Sequence, residues 1–338
     1  MSQLLEPGAL VLVSGANGFV GSHICDQLLS AGYRVRGTVR SIEKQAWLQS
    51  LFDKRHASGR FELAQVEDIT QPGCYEAAIK GCSAFAHTAA YVSLSSDPNE
   101  IIPPSIASVK QALSAASQEP GLRSFVYTSS STAATKPYPN RKRHIDSSTW
   151  NEVDIEAAWA PPPYEKSRAR IVYGASKALG EKEVWKYVDE HKPHFTVNTV
   201  LPNANFGEVL DPVNQTRSTA AWIRAWFGGD FERIKLIAPQ HFISVKDTGR
   251  LHTALLTDAS YNNQRIFGFA QPYNWNQVLA ILRRLRPDHN LPEDLEDDSK
   301  DVSTVENGPA LKILQDRFGQ TDWVGLEEAL KENIAFIH

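Results

Sequence analysis

Short apolar runs alternate with stretches of helical periodicity over the first two hundred residues of this chain. Buried strands are predicted at residues 10–14, 33–39, 61–66, 84–87, 124–128 and 195–201. Helices are predicted at residues 18–31, 42–52, 101–117 and 170–190, where apolar side chains recur on one face. Because strands and helices alternate, we expect an α/β protein built on a doubly wound parallel sheet.

Two segments interrupt this alternation. Residues 135–169 are rich in proline and too long for an ordinary connection, so a functional flap or a surface excursion is expected there. After Pro202 the periodic signals weaken and aromatic residues become frequent. We therefore predict one domain over 1–202, which includes the flap, and a smaller α/β region over 203–338. Some elements of the second region are expected to return to the core of the first.

Composition and charge narrow the class of protein. The chain has 338 residues, 42% of them apolar and 22% charged, with a net charge of −4. It gives no electrostatic reason to expect nucleic acid or an acidic membrane as a partner. Its three scattered cysteines do not form a zinc motif or a disulfide framework, so we expect no bound metal and a cytoplasmic location. The basic run Arg141–His144 is short and is interpreted as a solvated loop.

A glycine-rich turn joins the first strand to the first helix. Residues 15–21 have the spacing G-x-x-G-x-x-G. Glycine permits a sharp turn, the close approach of a pyrophosphate and tight helix packing, while the start of the helix offers free N–H groups to phosphate. Between a strand and a helix, this motif predicts a dinucleotide site of the Rossmann type. We assign to it Gly15, Asn17, Gly18, Phe19, Val20 and Gly21.

The end of the second strand distinguishes between cofactors. An NAD site usually has an acidic residue there, but residues 37–41 read Gly-Thr-Val-Arg-Ser. Arg40, with Lys44 one helical turn further on, suits a 2′-phosphate, so we predict NADPH. The alternative is that Arg40 is a surface residue without a ligand. Asp68 and Ile69 follow the third strand and are placed to meet the adenine, although Asp68 serves equally well as a turn residue.

Tyr173 and Lys177 lie four residues apart in a predicted helix and therefore share a face. A phenol with a pKa near 10 becomes a useful acid when a neighbouring ammonium stabilises the phenolate. It then protonates a carbonyl oxygen while a hydride arrives at carbon. Tyr138 and Lys142 have the same spacing, but they lie in a proline-containing loop and are rejected. The small residues 174–176 are expected to let a cofactor lie close.

Three serines, Ser129, Ser130 and Ser131, end the fifth strand. The carboxyl ends of parallel strands face the ligand crevice of a doubly wound sheet. One of these hydroxyl groups is expected to hold the substrate oxygen and to stabilise its developing charge. The residues alone leave this choice open.

Together these motifs resemble the extended short-chain dehydrogenases/reductases. Within that group the chain is similar to fungal and yeast NADPH-dependent aldehyde and ketone reductases and to plant dihydroflavonol reductases. The resemblance runs over nearly the whole chain and includes the sequences H-T-A-A at 87–90 and T-S-S at 128–130. It implies reversible, NADPH-dependent reduction of an aldehyde or ketone to the alcohol. In the implied roles, Ser130 holds the carbonyl oxygen, Tyr173 donates the proton, and Lys177 lowers the tyrosine pKa and binds ribose.

The resemblance also implies further contacts. Ala89 and Tyr91 would line the nicotinamide, and Pro202 with Asn203 would lie by its carboxamide. A small carbonyl substrate is expected in a mainly apolar pocket, with a homodimer left open as the assembly. The candidate substrate contacts are Val92, Ser131, Phe206, Trp222, Trp226 and Gln240. The two tryptophans fit a core position equally well.

Other functions remain as alternatives: an epimerase of the extended family, a ketoreductase of secondary metabolism, or an NADP-sensing regulator without activity. Arg40 argues against an epimerase that holds NAD, and the presence of both Tyr173 and Lys177 argues against a regulator. Many relatives have an asparagine where this chain has Ala107. Water or a backbone carbonyl is therefore expected to complete the proton path.

Overall fold

A seven-stranded parallel sheet forms the centre of the molecule in the computed structural model, which describes residues 3–91 and 95–337. In order across the sheet the strands are β10 (Gln264–Gly268), β7 (Thr196–Pro202), β5 (Ser124–Thr128), β4 (Ala84–His87), β1 (Leu10–Ser14), β2 (Arg34–Val39) and β3 (Phe61–Gln65). The strand order reverses between β1 and β4, which opens a crevice at their carboxyl ends. The predicted doubly wound Rossmann class is confirmed.

Helices cover both faces of this sheet. The helices are α1 (Phe19–Ser30), α2 (Ala46–Arg55), α3 (Pro98–Gln118), α4 (Ser131–Ala134), α5 (Glu152–Ala158), α6 (Ala169–His191), α7 (Ala220–Phe227), α8 (Phe231–Lys235), α9 (Val245–Thr257), α10 (Trp275–Leu285), α11 (Gly308–Phe318) and α12 (Leu326–Asn333). Successive side chains of β1 point to opposite faces. Val11 and Val13 pack in the core beneath α1 and α9, whereas Leu10 and Leu12 pack in the core beneath α3.

Most predicted bounds agree with the structure to within one or two residues, and the start of α3 shows why others differ. The helix was expected to begin at residue 101 and begins at Pro98. The side chain of Asp97 accepts the N–H of Asn99, and a proline is tolerated in the first helical turn because its missing donor is not needed there. Pro103 and Pro104 lie further inside the same helix.

A smaller three-stranded sheet lies in the C-terminal region. Its strands, in order, are β11 (Gln271–Tyr273), β9 (Gln240–Ser244) and β8 (Ala204–Phe206). They enclose, with α7, α10 and α12, an apolar core that includes Phe206, Trp226 and Trp275. The region is not wholly separate, because β10 pairs with β7 in the large sheet and α9 packs beside α1.

Two parts of the proline-rich segment 135–169 are packed against the rest of the protein. Its strand β6 (His144–Ile145) pairs in parallel with β12 (Thr304–Val305), and its helix α5 packs against α6. Ile145 and Ala158 are buried. The segment therefore contributes to the core beside α6, which a loop excursion over the surface would not do. No helix among the described residues is both long enough and apolar enough to cross a membrane.

Candidate active site

A group of buried, hydrogen-bonded side chains lies at the carboxyl ends of β1 and β4. Ser14 Oγ accepts the backbone N–H groups of Thr88 and Ala89, both at 3.0 Å. With two donors on its oxygen, Ser14 directs its own proton to Nδ1 of His87, 2.9 Å away. The opposite ring nitrogen, Nε2, then donates to Ser108 Oγ at 3.2 Å. Burial, followed by a nearby ammonium group, lowers the pKa of His87 to about 3, so the imidazole is neutral.

The glycine turn fits tightly against this group. Gly15 has a φ of 65°, and a Cβ atom there would lie 3.0 Å from Cα of Ala89. A Cβ atom at Gly21 would lie 2.2 Å from the carbonyl oxygen of Gly15. Glycine is therefore needed at both positions. A side chain at Gly15 would push the turn away from the loop after β4, and one at Gly21 would push α1 away from the turn.

The first turn of α1 leaves its N–H groups without a side-chain cap. Gly18 is the N-cap residue and no acidic residue lies in the first turn, whereas α10 begins with a full capping box of Asn274 and Gln277. Gln215 reaches the turn from the C-terminal region and donates to Ser22 Oγ at 2.8 Å. The pattern of the chain carried no signal for Gln215, because it lies in an irregular loop far along the sequence.

Arg40 follows the last residue of β2, as expected. Its guanidinium group forms no hydrogen bond or ion pair within the described part of the chain, and it attracts Asp68 over a longer distance. Lys44 is exposed nearby in a short 3-10 turn. The carboxylate of Asp68 accepts the N–H and hydroxyl of Thr70 at 2.9 and 2.7 Å and the amide of Gln71 at 3.0 Å. Those bonds lower the pKa of Asp68 and make it a turn residue.

These observations fit a dinucleotide that carries a 2′-phosphate. Uncapped N–H groups at the start of α1 and the close glycine packing suit a diphosphate at the carboxyl end of β1. An arginine without a protein partner at the end of β2, where an NAD site has a carboxylate, suits a further phosphate. The described residues thus provide donors for both charged parts of NADPH.

The phenol of Tyr173 meets Ser130 at the end of β5. Burial raises the pKa of Tyr173 above its ordinary value, and a side-chain hydrogen bond with Ser130 lowers it in part. Ser130 Oγ also accepts the N–H and hydroxyl of Thr132 at 3.2 and 3.0 Å. Ser129, in contrast, donates its hydroxyl to Oε2 of Glu181 at 2.7 Å. The geometry therefore favours Ser130 over Ser129 as the partner of the tyrosine.

Lys177 lies one turn after Tyr173 and is directed toward β5. Its ammonium donates to the carbonyl oxygen of Thr128 at 2.8 Å and to the hydroxyl of Tyr127 at 3.3 Å. Burial lowers the pKa of Lys177 to about 8, and the negative charge of Glu181 raises it in part. The side chain is therefore a cation at neutral pH, close to the phenol that it is expected to assist.

Glu181 is a buried carboxylate that sequence reasoning missed. It forms an ion pair with Arg265, whose Nε lies 2.8 Å from Oε1. The carboxylate also accepts hydrogen bonds from the side chains of Ser129, Thr199 and Trp185. The sequence did contain a usable signal. Glu181 lies four residues after Lys177, as Lys177 lies four residues after Tyr173, so all three share one helix face.

Two of the small residues after Tyr173 pack against neighbouring elements. A Cβ atom at Gly174 would lie 2.4 Å from Oδ2 of Asp154 and 3.3 Å from Nδ2 of Asn151. Ala175 is buried among apolar residues of α3 and α5. Their size therefore allows the 135–169 segment to pack against α6, and the expectation that residues 174–176 let a cofactor lie close stays a prediction.

The other predicted contacts fall into three groups. The turn after β1 and the start of α1 contain Asn17, Phe19 and Val20, and the carboxyl ends of β3, β4 and β7 are followed or formed by Ile69, Ala89, Tyr91, Pro202 and Asn203. Ser131, Asn203 and Gln240 line one cavity beside the end of β5. Phe206 and Trp226 are buried in the C-terminal core, which favours the core interpretation, whereas Trp222 is half-buried against Phe206 and Trp275. Val92 lies outside the described residues.

Ala107 leaves no side chain of its own for a proton path. The neighbouring Ser108 is engaged with His87. The Lys177 ammonium donates to the backbone carbonyl of Thr128 and to the hydroxyl of Tyr127. Within residues 3–91 and 95–337, no group of three or more metal-binding side chains is arranged to hold an ion.

The sheet, the glycine turn and the tyrosine–lysine helix define a nicotinamide-nucleotide oxidoreductase of the short-chain dehydrogenase/reductase type. Residues 11–267 match the model of the NAD dependent epimerase/dehydratase family. The chain belongs to that family, and the predicted resemblance is confirmed.

Two relatives and one solved structure illustrate the likeness. Aldehyde reductase 2 of Sporidiobolus salmonicolor is 41% identical over 331 residues, which cover 97% of this chain and 96% of that protein. Ketoreductase adrE of Penicillium rubens is 36% identical over 99% of this chain and 98% of that protein. The fold is shared with the yeast methylglyoxal/isovaleraldehyde reductase Gre2, solved with NADPH, at a TM-score of 0.80, 22% identity and coverage of 97% and 98%.

Proposed function

We propose that this chain reduces an aldehyde or ketone to the alcohol, reversibly, with NADPH as the reductant. The observation that carries the proposal is the meeting of the Tyr173 phenol with Ser130, while Lys177 lies on the same helix face. The aldehyde reductase and the ketoreductase among the relatives support the same reaction class.

In this mechanism Ser130 holds the carbonyl oxygen and Tyr173 donates its phenolic proton to it. NADPH supplies the hydride for the carbonyl carbon. Burial alone makes phenolate formation costly at Tyr173, so a nearby positive charge is needed when the proton leaves. Lys177 supplies that charge as long as the pH stays below its pKa of about 8. Turnover is therefore expected to fall as the pH rises past that value.

The residues proposed to hold NADPH come from the glycine turn, the start of α1, the ends of β2 and β7, the segments after β2, β3 and β4, and helix α6. They are Gly15, Asn17, Gly18, Phe19, Val20, Gly21, Arg40, Lys44, Asp68, Ile69, Ala89, Tyr91, Tyr173, Lys177, Pro202 and Asn203. For the substrate we keep Ser131, Trp222 and Gln240, since these side chains lie beside the site or retain exposed surface. Val92 stays a prediction.

We also propose that residues 1–202 bind the cofactor and residues 203–338 mainly bind the substrate. The separate aromatic core of the C-terminal region supports this division. A cytoplasmic location is supported by three free cysteines, Cys25, Cys74 and Cys82. The homodimer stays a prediction.

Replacement of the proton donor tests the reaction. Tyr173→Phe removes the phenolic proton but keeps the ring, so kcat for an aldehyde panel should fall about 10²- to 10⁴-fold. NADPH binding, followed by fluorescence titration, should change less than about threefold. The exposed Tyr164 provides the matched control, because Tyr164→Phe makes the same chemical change outside the crevice. Normal turnover by Tyr173→Phe would refute the assignment.

Replacement of Arg40 tests the cofactor assignment. Arg40→Gln should lower kcat/KM with NADPH about 10- to 100-fold, because charge-assisted hydrogen bonds to a phosphate are lost. The value with NADH should stay within about twofold. Arg34 at the opposite end of β2 donates to the carbonyl oxygen of Gly8, so Arg34→Gln is the matched control. Equal losses with both cofactors would show that Arg40 does not read the 2′-phosphate.

A further inference from the structure

A cavity with several cationic residues in its lining lies beside the proposed catalytic serine, and these cations have no role in the mechanism above. Ser131, Asn203 and Gln240 line its inner end. Lys136, Arg141 and Arg143 line the side formed by the 135–169 segment. The basic run that the sequence suggested was an ordinary solvated loop therefore contributes two arginines to a cavity next to the active site.

The loop that bears these cations is held in place by a second loop from the C-terminal region. The N–H of Asn140 donates to the carbonyl oxygen of Lys300 at 2.7 Å, and the side chain of Asn140 accepts the N–H of Lys300 at 3.0 Å. The N–H of Thr304 donates to the carbonyl oxygen of Arg143 at 2.8 Å. Backbone bonds on both sides of the arginines thus fix where their side chains start.

The two arginines keep their N–H groups available. The side chain of Arg141 is exposed and forms no hydrogen bond or ion pair with the described residues. Arg143 is also exposed, and the central carbon of its guanidinium lies over the ring of Tyr138, 4.2 Å from the centroid. A cation–π contact of this kind places the guanidinium and leaves its N–H groups available as hydrogen-bond donors.

The carboxylates near the cavity are already committed. Asp301 also lines the cavity. Its Oδ2 atom lies 3.0 Å from Nδ1 of His241, and its Oδ1 atom accepts hydrogen bonds from the N–H and the hydroxyl of Ser303. Asp154 pairs with Lys136 at 3.6 Å. The three cations and these two carboxylates together carry a net charge of about +1, which matches a monoanion better than a phosphate dianion.

We propose that this cavity binds the carboxylate of the substrate, so that the preferred substrates are carbonyl compounds that also carry a carboxylic acid group. The proposal rests on the carbonyl reduction proposed above. Arg141 and Arg143 bind the carboxylate through their planar donors, and Lys136 adds a partly neutralised charge. The cavity beside Ser131 thus combines apolar lining with three cations, which the pocket expected from the sequence did not include.

The test compares oxo acids with their uncharged esters. The probes are 2-oxobutanoate, 4-oxopentanoate and 5-oxohexanoate, each with its methyl ester, and NADPH oxidation is followed at constant ionic strength. For at least one chain length KM should be at least about tenfold lower for the acid than for the ester. Arg141→Gln/Arg143→Gln should raise KM for that acid at least about tenfold and leave kcat and KM for the ester within about twofold.

A neighbouring residue in the same basic run provides the control. Lys142 is exposed between the two arginines and does not line the cavity. Lys142→Gln removes the same charge from the same loop and should leave the acid preference unchanged. Equal loss of the preference with Lys142→Gln would reduce the effect to general electrostatic attraction and overturn the proposal.

Two further outcomes separate this proposal from the one on which it rests. If the esters are reduced and no acid is preferred, the carboxylate site is wrong and the carbonyl reductase assignment stands. If neither acids, esters nor simple aldehydes are reduced, both are wrong.

Discussion

Two buried polar networks flank the crevice, and they differ in charge. On the cofactor side, Ser14, His87 and Ser108 form a chain of hydrogen bonds with a neutral imidazole at its centre. On the proton-donor side the network contains three charged side chains. Lys177 and Glu181 lie on one face of α6, and Arg265 lies on β10. The first network holds the loop after β4 against the glycine turn, whereas the second surrounds the helix that bears Tyr173.

A second histidine extends the neutral side. Nδ1 of His252 lies 2.8 Å from the carbonyl oxygen of Thr248, so this nitrogen is the donor. Nε2 therefore accepts the hydroxyl of Thr128 at 2.8 Å, and Thr128 in turn accepts the hydroxyl of Thr88 at 2.9 Å. Burial lowers the pKa of His252 to about 4. The backbone carbonyl of Thr248 thus determines which atom is the donor in each of these hydrogen bonds.

The difference between the networks predicts different responses to mutation and pH. A neutral network loses one hydrogen bond when one member is removed, and its histidines resist protonation. A charged network leaves a buried ion without its counterion when one member is removed, which costs more than the bond itself. The predictions below follow that ranking.

The largest expected effect is on the stability of the charged network. Glu181→Leu leaves the guanidinium of Arg265, whose side chain is 7% exposed, without its counterion. The free energy of unfolding in urea should fall by about 3–5 kcal/mol. The matched control is Glu327→Gln, which breaks the exposed pair with Arg284 and should cost less than about 1 kcal/mol. Similar losses in the two variants would contradict the contrast.

A double replacement sharpens the same point. Glu181→Leu/Arg265→Leu removes both buried charges, so the doubly substituted protein should be more stable than Glu181→Leu alone. If the second substitution adds a further loss instead, the cost of Glu181→Leu comes from packing and not from an unpaired charge.

The next effect concerns pH and the neutral network. His87 binds a proton near pH 6.5 in the unfolded chain and only near pH 3 in the folded protein, so the unfolded state binds more protons between these values. The stability of the parent protein should therefore fall as the pH drops from 6.5. His87→Asn should reduce that slope by up to about 1.4 kcal/mol per pH unit between pH 6 and pH 4. A slope that matches the parent protein would show that His87 is not held neutral.

The parts of the site that the sequence predicted are those that depend on local spacing. The glycine turn and the Tyr173–Lys177 pair each lie within one turn or one helix, so periodicity places them without knowledge of the fold. Glu181 follows the same rule at one more turn, and the pattern there was overlooked. The sheet and its helices were predicted well for the same reason, because apolar runs and amphipathic stretches are local signals.

The parts that the sequence did not predict depend on distant partners. Ser14 and His87 are 73 residues apart, and Glu181 and Arg265 are 84 residues apart. Their pairing follows from which strands are neighbours in the sheet, which periodicity does not determine. Aromatic residues were ambiguous for a related reason, since Trp226 has the same character in a core as in a pocket, and only burial distinguishes the two.

The smallest effect separates a lost hydrogen bond from a lost titratable group. Ser108→Ala removes the acceptor of Nε2–H on His87, a bond of 3.2 Å, and should lower the free energy of unfolding by about 1 kcal/mol. Because His87 itself remains, the pH slope of stability between pH 6 and pH 4 should equal that of the parent protein. Urea unfolding at pH 7, 6, 5 and 4 measures both quantities. A changed slope in Ser108→Ala would mean that the bond to Ser108, and not burial alone, sets the pKa of His87, and the contrast between the two networks would then depend on one hydroxyl group.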